Sequence, residues 1–173
     1  MGFEKGGNVL FLNVSCGELL NKKQDIHEKA FTGKLVKIKK VEDVYEDKPL
    51  DKVMVFMNDG KQTVAIKFTL ESWYSVGFFQ RIDNVNLDHE FTLGVMGSDK
   101  NNKISFCWMK QGDVKIEKTE IPIPEKVTVG KTTVTNFEKF TVHAVNWIEE
   151  FKAAKPETHE ETPEPVDGEP LPF

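Results

Sequence analysis

Along residues 31–110 the hydrophobic period changes twice, from strand-like to helix-like and back, and that order restricts the fold more than any other feature of the chain. Residues 31–44 are rich in Val, Ile and Lys and read as a long first strand, with Val36 and Ile38 as core candidates on one face and Lys37 and Lys39 on the other. Lys48-Pro49 marks a loop. Residues 53–57 form a continuous apolar run, and Asn58-Asp59-Gly60 supplies the residues that a tight hairpin turn requires. Strict alternation follows, with Val64, Ile66, Phe68 and Leu70 on one side and Thr63, Ala65, Lys67 and Thr69 on the other. Residues 71–83 lose that alternation and read as a short helix despite Gly77. Phe91, Leu93 and Val95 then alternate again, a polar loop spans 97–102, and a last strand carries Ile104, Phe106 and Trp108.

Three strands, a helix and two strands predict a mainly β fold: a five-stranded OB-fold Greek-key barrel with the helix between strands 3 and 4 plugging its bottom. An SH3-like barrel lacks that helix, and a sandwich needs about seven strands. The 8–14 run adds an N-terminal strand, Cys16-Gly17 a turn, and 113–134 irregular strands around Ile121-Pro-Ile-Pro124. Phe137, Phe140, Ala144, Trp147, Ile148 and Phe151 recur at three- and four-residue steps, the stripe of a C-terminal amphipathic helix over 136–154. Thr135 and Glu138 have capping-box spacing at its start, and Pro156 disfavours its continuation. The stripe is expected to pack on the domain. Dimerisation through this helix, or by exchange of a terminal segment, stays open.

The net charge of −5 resides in one place. Residues 155–173 hold one lysine, six acids and five prolines, which leaves 1–154 with 22 charges of each sign. Such a composition buries too little apolar surface to offset the entropy of ordering it, so residues 1–154 are expected to form one domain and 155–173 a disordered acidic tail. The tail finishes with an apolar tip, Leu171-Pro172-Phe173.

Catalysis finds little support in the residues. His27, His89, His143 and His159 are scattered, and there is no Gly-rich phosphate loop, nucleophile motif or metal-spaced carboxylate set. Neither an enzyme, a metal site nor a cofactor is expected. Cys16 and Cys107 sit far apart without ligand-spaced neighbours and read as reduced thiols. With no apolar stretch of about 20 residues and no signal-peptide layout, a cytoplasmic protein without a membrane partner is expected.

A binding surface has better candidates. Residues 29–40 contain five lysines and no acid, and a strand with one buried face and one lysine face suits a groove that tracks phosphates by charge. The same pattern also suits a solvated edge that resists aggregation. Arg81 is the single arginine among 23 basic residues. Because base reading in duplex DNA leans on bidentate Arg, this composition favours sequence-tolerant backbone contact. The phosphate candidates are Lys34, Lys37, Lys39, Lys67, Lys103 and Lys110, and the stacking candidates are Trp73, Tyr74, Phe79 and Trp108. Phe106 and Trp108 share parity with Ile104, so a core role competes for them, as it does for the aromatics of the short helix.

A lysine-and-aromatic barrel followed by an acidic tail ending in Pro-Phe resembles the single-stranded-DNA-binding proteins. The bacterial family ends in Asp-Asp-Asp-Ile-Pro-Phe. Here Leu171, Pro172 and Phe173 fall on Ile-Pro-Phe and Glu169 on one Asp, while Gly168 and Pro170 depart from the other two. The extra N-terminal strand and late helix are closer to the phage members, and the resemblance implies the cytoplasm of a bacterial or phage-infected host cell. The resemblance implies sequence-independent binding and protection of single-stranded DNA in replication, recombination or repair. It also implies that Asp167, Glu169, Leu171, Pro172 and Phe173 recruit replication, recombination or repair proteins. The acidic tail would compete with DNA for the basic groove.

Two other readings remain open from sequence: a protein-interaction or inhibitor β-barrel whose acidic tail mimics nucleic acid, and an RNA-binding OB protein.

Overall fold

The computed structural model describes residues 9–101 and 103–154. Strands β1 (Val9–Ser15), β2 (Glu18–Asn21) and β3 (Ile26–Glu28) precede the long β4 (Ala30–Val41). Where the sequence suggests only a loop at Lys48-Pro49, a small hairpin of β5 (Val44–Tyr45) and β6 (Lys48–Pro49) leads to β7 (Lys52–Asn58) and β8 (Thr63–Thr69). Helix α1 (Trp73–Arg81) runs into a 3-10 turn (Ile82–Asn84), followed by β9 (Phe91–Gly97), β10 (Ser105–Gln111) and β11 (Val114–Lys115). The hairpin of β12 (Glu125–Val129) and β13 (Thr132–Asn136) precedes helix α2 (Glu138–Ala154).

Nine strands form one curled sheet in the order β11-β10-β9-β4-β7-β8-β1-β2-β3. The protein is therefore mainly β, but its sheet is larger than the five strands expected of residues 31–110. The N-terminal segment contributes three strands beyond β8, of which β1 runs parallel to it. No ladder joins β8 to β10 among the described residues.

The curl originates in β4. Its first four residues pair with β9, and Lys34 to Val41 pair with β7, so one strand serves two partners in succession. Gly33 stands at the changeover, where a Cβ would lie 2.9 Å from the Asn58 carbonyl oxygen. The register shifts between Leu35 and Lys37, a bulge that adds Val36 to the strand and bends it further. Simple alternation pairs Val36 with Ile38 as core residues. The bulge instead sends Leu35 and Ile38 inward and leaves Val36 55% exposed.

The core lies inside the curl: Leu35 and Ile38 meet Val53, Val55 and Met57 of β7 and Val64, Ile66 and Phe68 of β8. Helix α1 begins at Ser72, whose hydroxyl accepts from the Ser75 amide, and inserts Tyr74, Phe78 and Phe79 into that core. Helix α2 adds Phe140, Ala144 and Ile148, with Trp147 reaching Asp83 Oδ1 at 2.7 Å. Its aromatic stripe thus faces the domain. At its start the Asn136 side chain accepts from the Glu138 amide at 2.8 Å, where the sequence spacing favoured Thr135 as the cap.

Strand β10 decides between the two orientations open to its aromatics. Cys107 and Met109 face the core, which turns Phe106 and Trp108 to the outer side of the sheet. Ile104, expected at the head of the same strand, precedes it.

Candidate nucleic-acid interface

Register places the outward residues of four strands in rows, because side chains directly opposite in a sheet share a face. One row reads Lys37, Phe56, Ala65 and Phe11 across β4, β7, β8 and β1. The next reads Lys39, Met54, Lys67 and Asn13, and on the other side Lys34 aligns with Asn58 and Thr63. Lys34, Lys37, Lys39 and Lys67 therefore converge on one outer face, as the sequence pattern predicted for the β4 lysines.

At the centre of that face, the Lys37 and Lys39 ammonium groups each lie 5.7 Å from the centroid of the Phe56 ring. That distance is within the range of cation–π attraction, worth about 0.5–1 kcal/mol at exposed sites. Ala65 is fully buried although it belongs to the outward row, flanked in register by Phe56 and Phe11. Phe11 is 51% exposed. The face is thus an aromatic strip bordered by lysines.

Neither aromatic emerged from the sequence. Phe56 is hidden in the apolar run 53–57, where a period-two reading would have separated Val53, Val55 and Met57 from Met54 and Phe56. Phe11 is likewise separable from the inward Leu12 by alternation.

Acidic groups frame the lysines. Asp43 and Asp51, on either side of the β5–β6 hairpin, approach Lys67 at 3.9 Å and Lys40 at 3.5 Å. Lys52 donates to Thr69 Oγ1 at 3.1 Å; partial burial holds its pKa below the usual lysine value, with the Lys67 charge adding in the same direction. The tip of the hairpin carries Tyr45, 63% exposed.

The remaining candidates divide. Trp108 and Lys110 stand on the outer side of β10, in rows with Gly94 and Thr92, on the far side of Gly33 from Lys34. Trp73 and Lys103 line a separate cleft at the end of the sheet. Tyr74 and Phe79 are removed from the stacking set, since both are buried in the core. The Tyr74 hydroxyl donates to the Gly94 carbonyl oxygen at 3.2 Å, and burial raises its pKa well above the ordinary tyrosine value. Asp167, Glu169, Leu171, Pro172 and Phe173 lie outside the described residues.

No group of three or more His, Cys, Asp or Glu among the described residues is arranged to hold a metal ion, and no described helix is long and apolar enough to cross a membrane. Comparison with protein-family models, curated proteins and solved structures returns no match.

Proposed function

We propose that the chain binds single-stranded DNA without regard to sequence, through the outer face of β4, β7, β8 and β1. The observation that carries this reading is the half-buried Phe56 ring bracketed by Lys37 and Lys39. A base has a π-face whatever its identity, and lysines contact phosphates as point charges, so this grouping suits sequence-tolerant binding.

The strand order supports the same reading. Taken alone, β10-β9-β4-β7-β8 with α1 between β8 and β9 reads as an OB barrel opened between its third and fifth strands. Such barrels bind oligonucleotides on the face of their second and third strands, here β7 and β8. The N-terminal strands then occupy the edge that β8 would otherwise offer to β10. In this reading the acidic tail 155–173 competes for the lysine face, and its tip recruits replication, recombination or repair proteins.

A fluorescence titration with oligo(dT) and with duplex DNA at two salt concentrations tests the proposal. Tight binding to oligo(dT), weak binding to duplex and a steep loss with salt are expected. Equal affinity for both forms would overturn it, and no response to either at any salt would favour a protein-interaction barrel. Equal binding to oligo(U) would extend the ligand to RNA.

A further inference from the structure

The seam of the curled sheet holds a cleft that the lysine face does not include. β1 pairs with β8 only as far as Lys67, so Phe68 and Thr69 have no β1 partner. The gap between these residues, Ser15 and the start of β10 encloses a volume of about 380 Å³. Phe68 and Tyr74 contribute buried rings to it, and Trp73, 37% exposed, forms a wall with Phe137, ring centroids 5.9 Å apart. This volume lies within the range of small-ligand pockets, about 300–1,000 Å³.

Its charged groups are few. Lys103 lines the β10 side and Glu71 the α1 side, where Thr141 of α2 donates to Glu71 Oε2 at 3.3 Å and no group among the described residues donates to Oε1. Ser72 and Ser105 are already engaged, with the Ser75 and Gly17 amides respectively. Thr69 lies in the outward row of Lys52, so the lysine face continues to the rim of the cleft.

We infer that this cleft takes one unstacked base of the bound strand, with the base against Trp73, its phosphate toward Lys103 and its amino group toward Glu71. The inference rests on the single-strand reading and adds, at this one position, a preference among bases to the sequence-independent contacts of the lysine face. A carboxylate accepts from the exocyclic amine of cytosine and finds no amine on thymine. The full chain should accordingly bind oligo(dC) more tightly than oligo(dT) of equal length.

Titration of the full chain with both oligonucleotides tests this. Trp73→Ala should weaken binding to both by about 5- to 150-fold, with Trp73→Phe restoring most of it. Glu71→Ala should abolish the preference for oligo(dC), since no acceptor remains for the cytosine amine, without weakening binding to oligo(dT). If Trp73→Ala does not fold, Glu71→Ala and Lys103→Ala, both at exposed residues, decide the question. Unchanged affinity and preference in these variants, alongside a wild-type protein that binds and a Phe56→Ala variant that binds weakly, would overturn the cleft and leave the lysine face standing. Failure of the wild-type protein to bind either oligonucleotide would overturn both.

Discussion

Trp108 and Gly94 are opposite one another on β10 and β9, and the indole occupies the space where a Gly94 side chain would be: a Cβ there would lie 2.0 Å from Trp108 Cε2. The tryptophan is thus held against the outer side of the sheet, partly covered by it. Gly94→Ala must displace the indole or bend the strand, and overpacking of this kind costs about 1–3 kcal/mol. A lower melting temperature with altered tryptophan emission is the expected outcome.

Phe56 and Phe79 should separate binding from stability. Phe56→Ala removes a ring from the outer face and should weaken oligo(dT) binding by about 5- to 150-fold with a modest change in stability. Phe79→Ala opens the core between α1 and α2 and should cost about 3–5 kcal/mol in urea unfolding. If Phe56→Ala binds like wild type, the aromatic strip has no part in recognition.

The lysines make a prediction about salt. Each phosphate contact to a single strand contributes about 0.7 to the slope of log affinity against log salt. Lys37→Ala and Lys39→Ala together should lower that slope by about 1.4. An unaltered slope would mean that these ammonium groups do not meet phosphate.

Asp43 points the other way. Asp43 lies within 4 Å of Lys67 on the lysine face, so Asp43→Asn should leave that ammonium with less intramolecular competition. Asp51 pairs with Lys40, which shares a register row with the buried Val53, and Asp51→Asn serves as the control. Affinity for oligo(dT) should rise in Asp43→Asn, most at low salt. Removal of residues 155–173 should act in the same direction while abolishing partner recruitment; loss of DNA binding would contradict the tail's proposed role.

The two thiols differ sharply in environment. Burial raises the Cys107 pKa to about 12, whereas Cys16 is exposed. Native protein should therefore release one equivalent of thiol to a disulfide reagent at pH 8 and two in denaturant. Because the folded thiol holds its proton more tightly than the unfolded one, its contribution to stability is complete below about pH 9 and declines as pH rises toward 12. Cys107→Ala should flatten that alkaline decline.

Much of the sheet was legible because a half-buried strand must alternate. Thr63–Thr69 and Phe91–Gly97 follow their patterns, and the loss of alternation after Leu70 marked α1. Reading failed where one added residue or an uncertain phase changes which side faces inward. The bulge at Val36 exposed an apparent core residue, and the sequence left both faces open to Phe106 and Trp108 until β10 presented Cys107 and Met109 to the core. A small side chain suffices at Cys107 because α1 packs closely there, its Gly77 leaving only 3.1 Å between a Cβ and Cys107 Cβ.

Local sequence determined the main strands of residues 31–110, both helices and the lysines of β4 opposite its core residues, since period and composition act over a few neighbouring residues. Tertiary structure alone decided that Phe56 and Phe11, 45 positions apart, belong to one strip with Lys37 and Lys39. It also decided that Tyr74 and Phe79 lie inside while Trp73 lines a cleft. Those outcomes depend on which strands become neighbours and in what register, and pairing between distant segments leaves no trace in the period of either one.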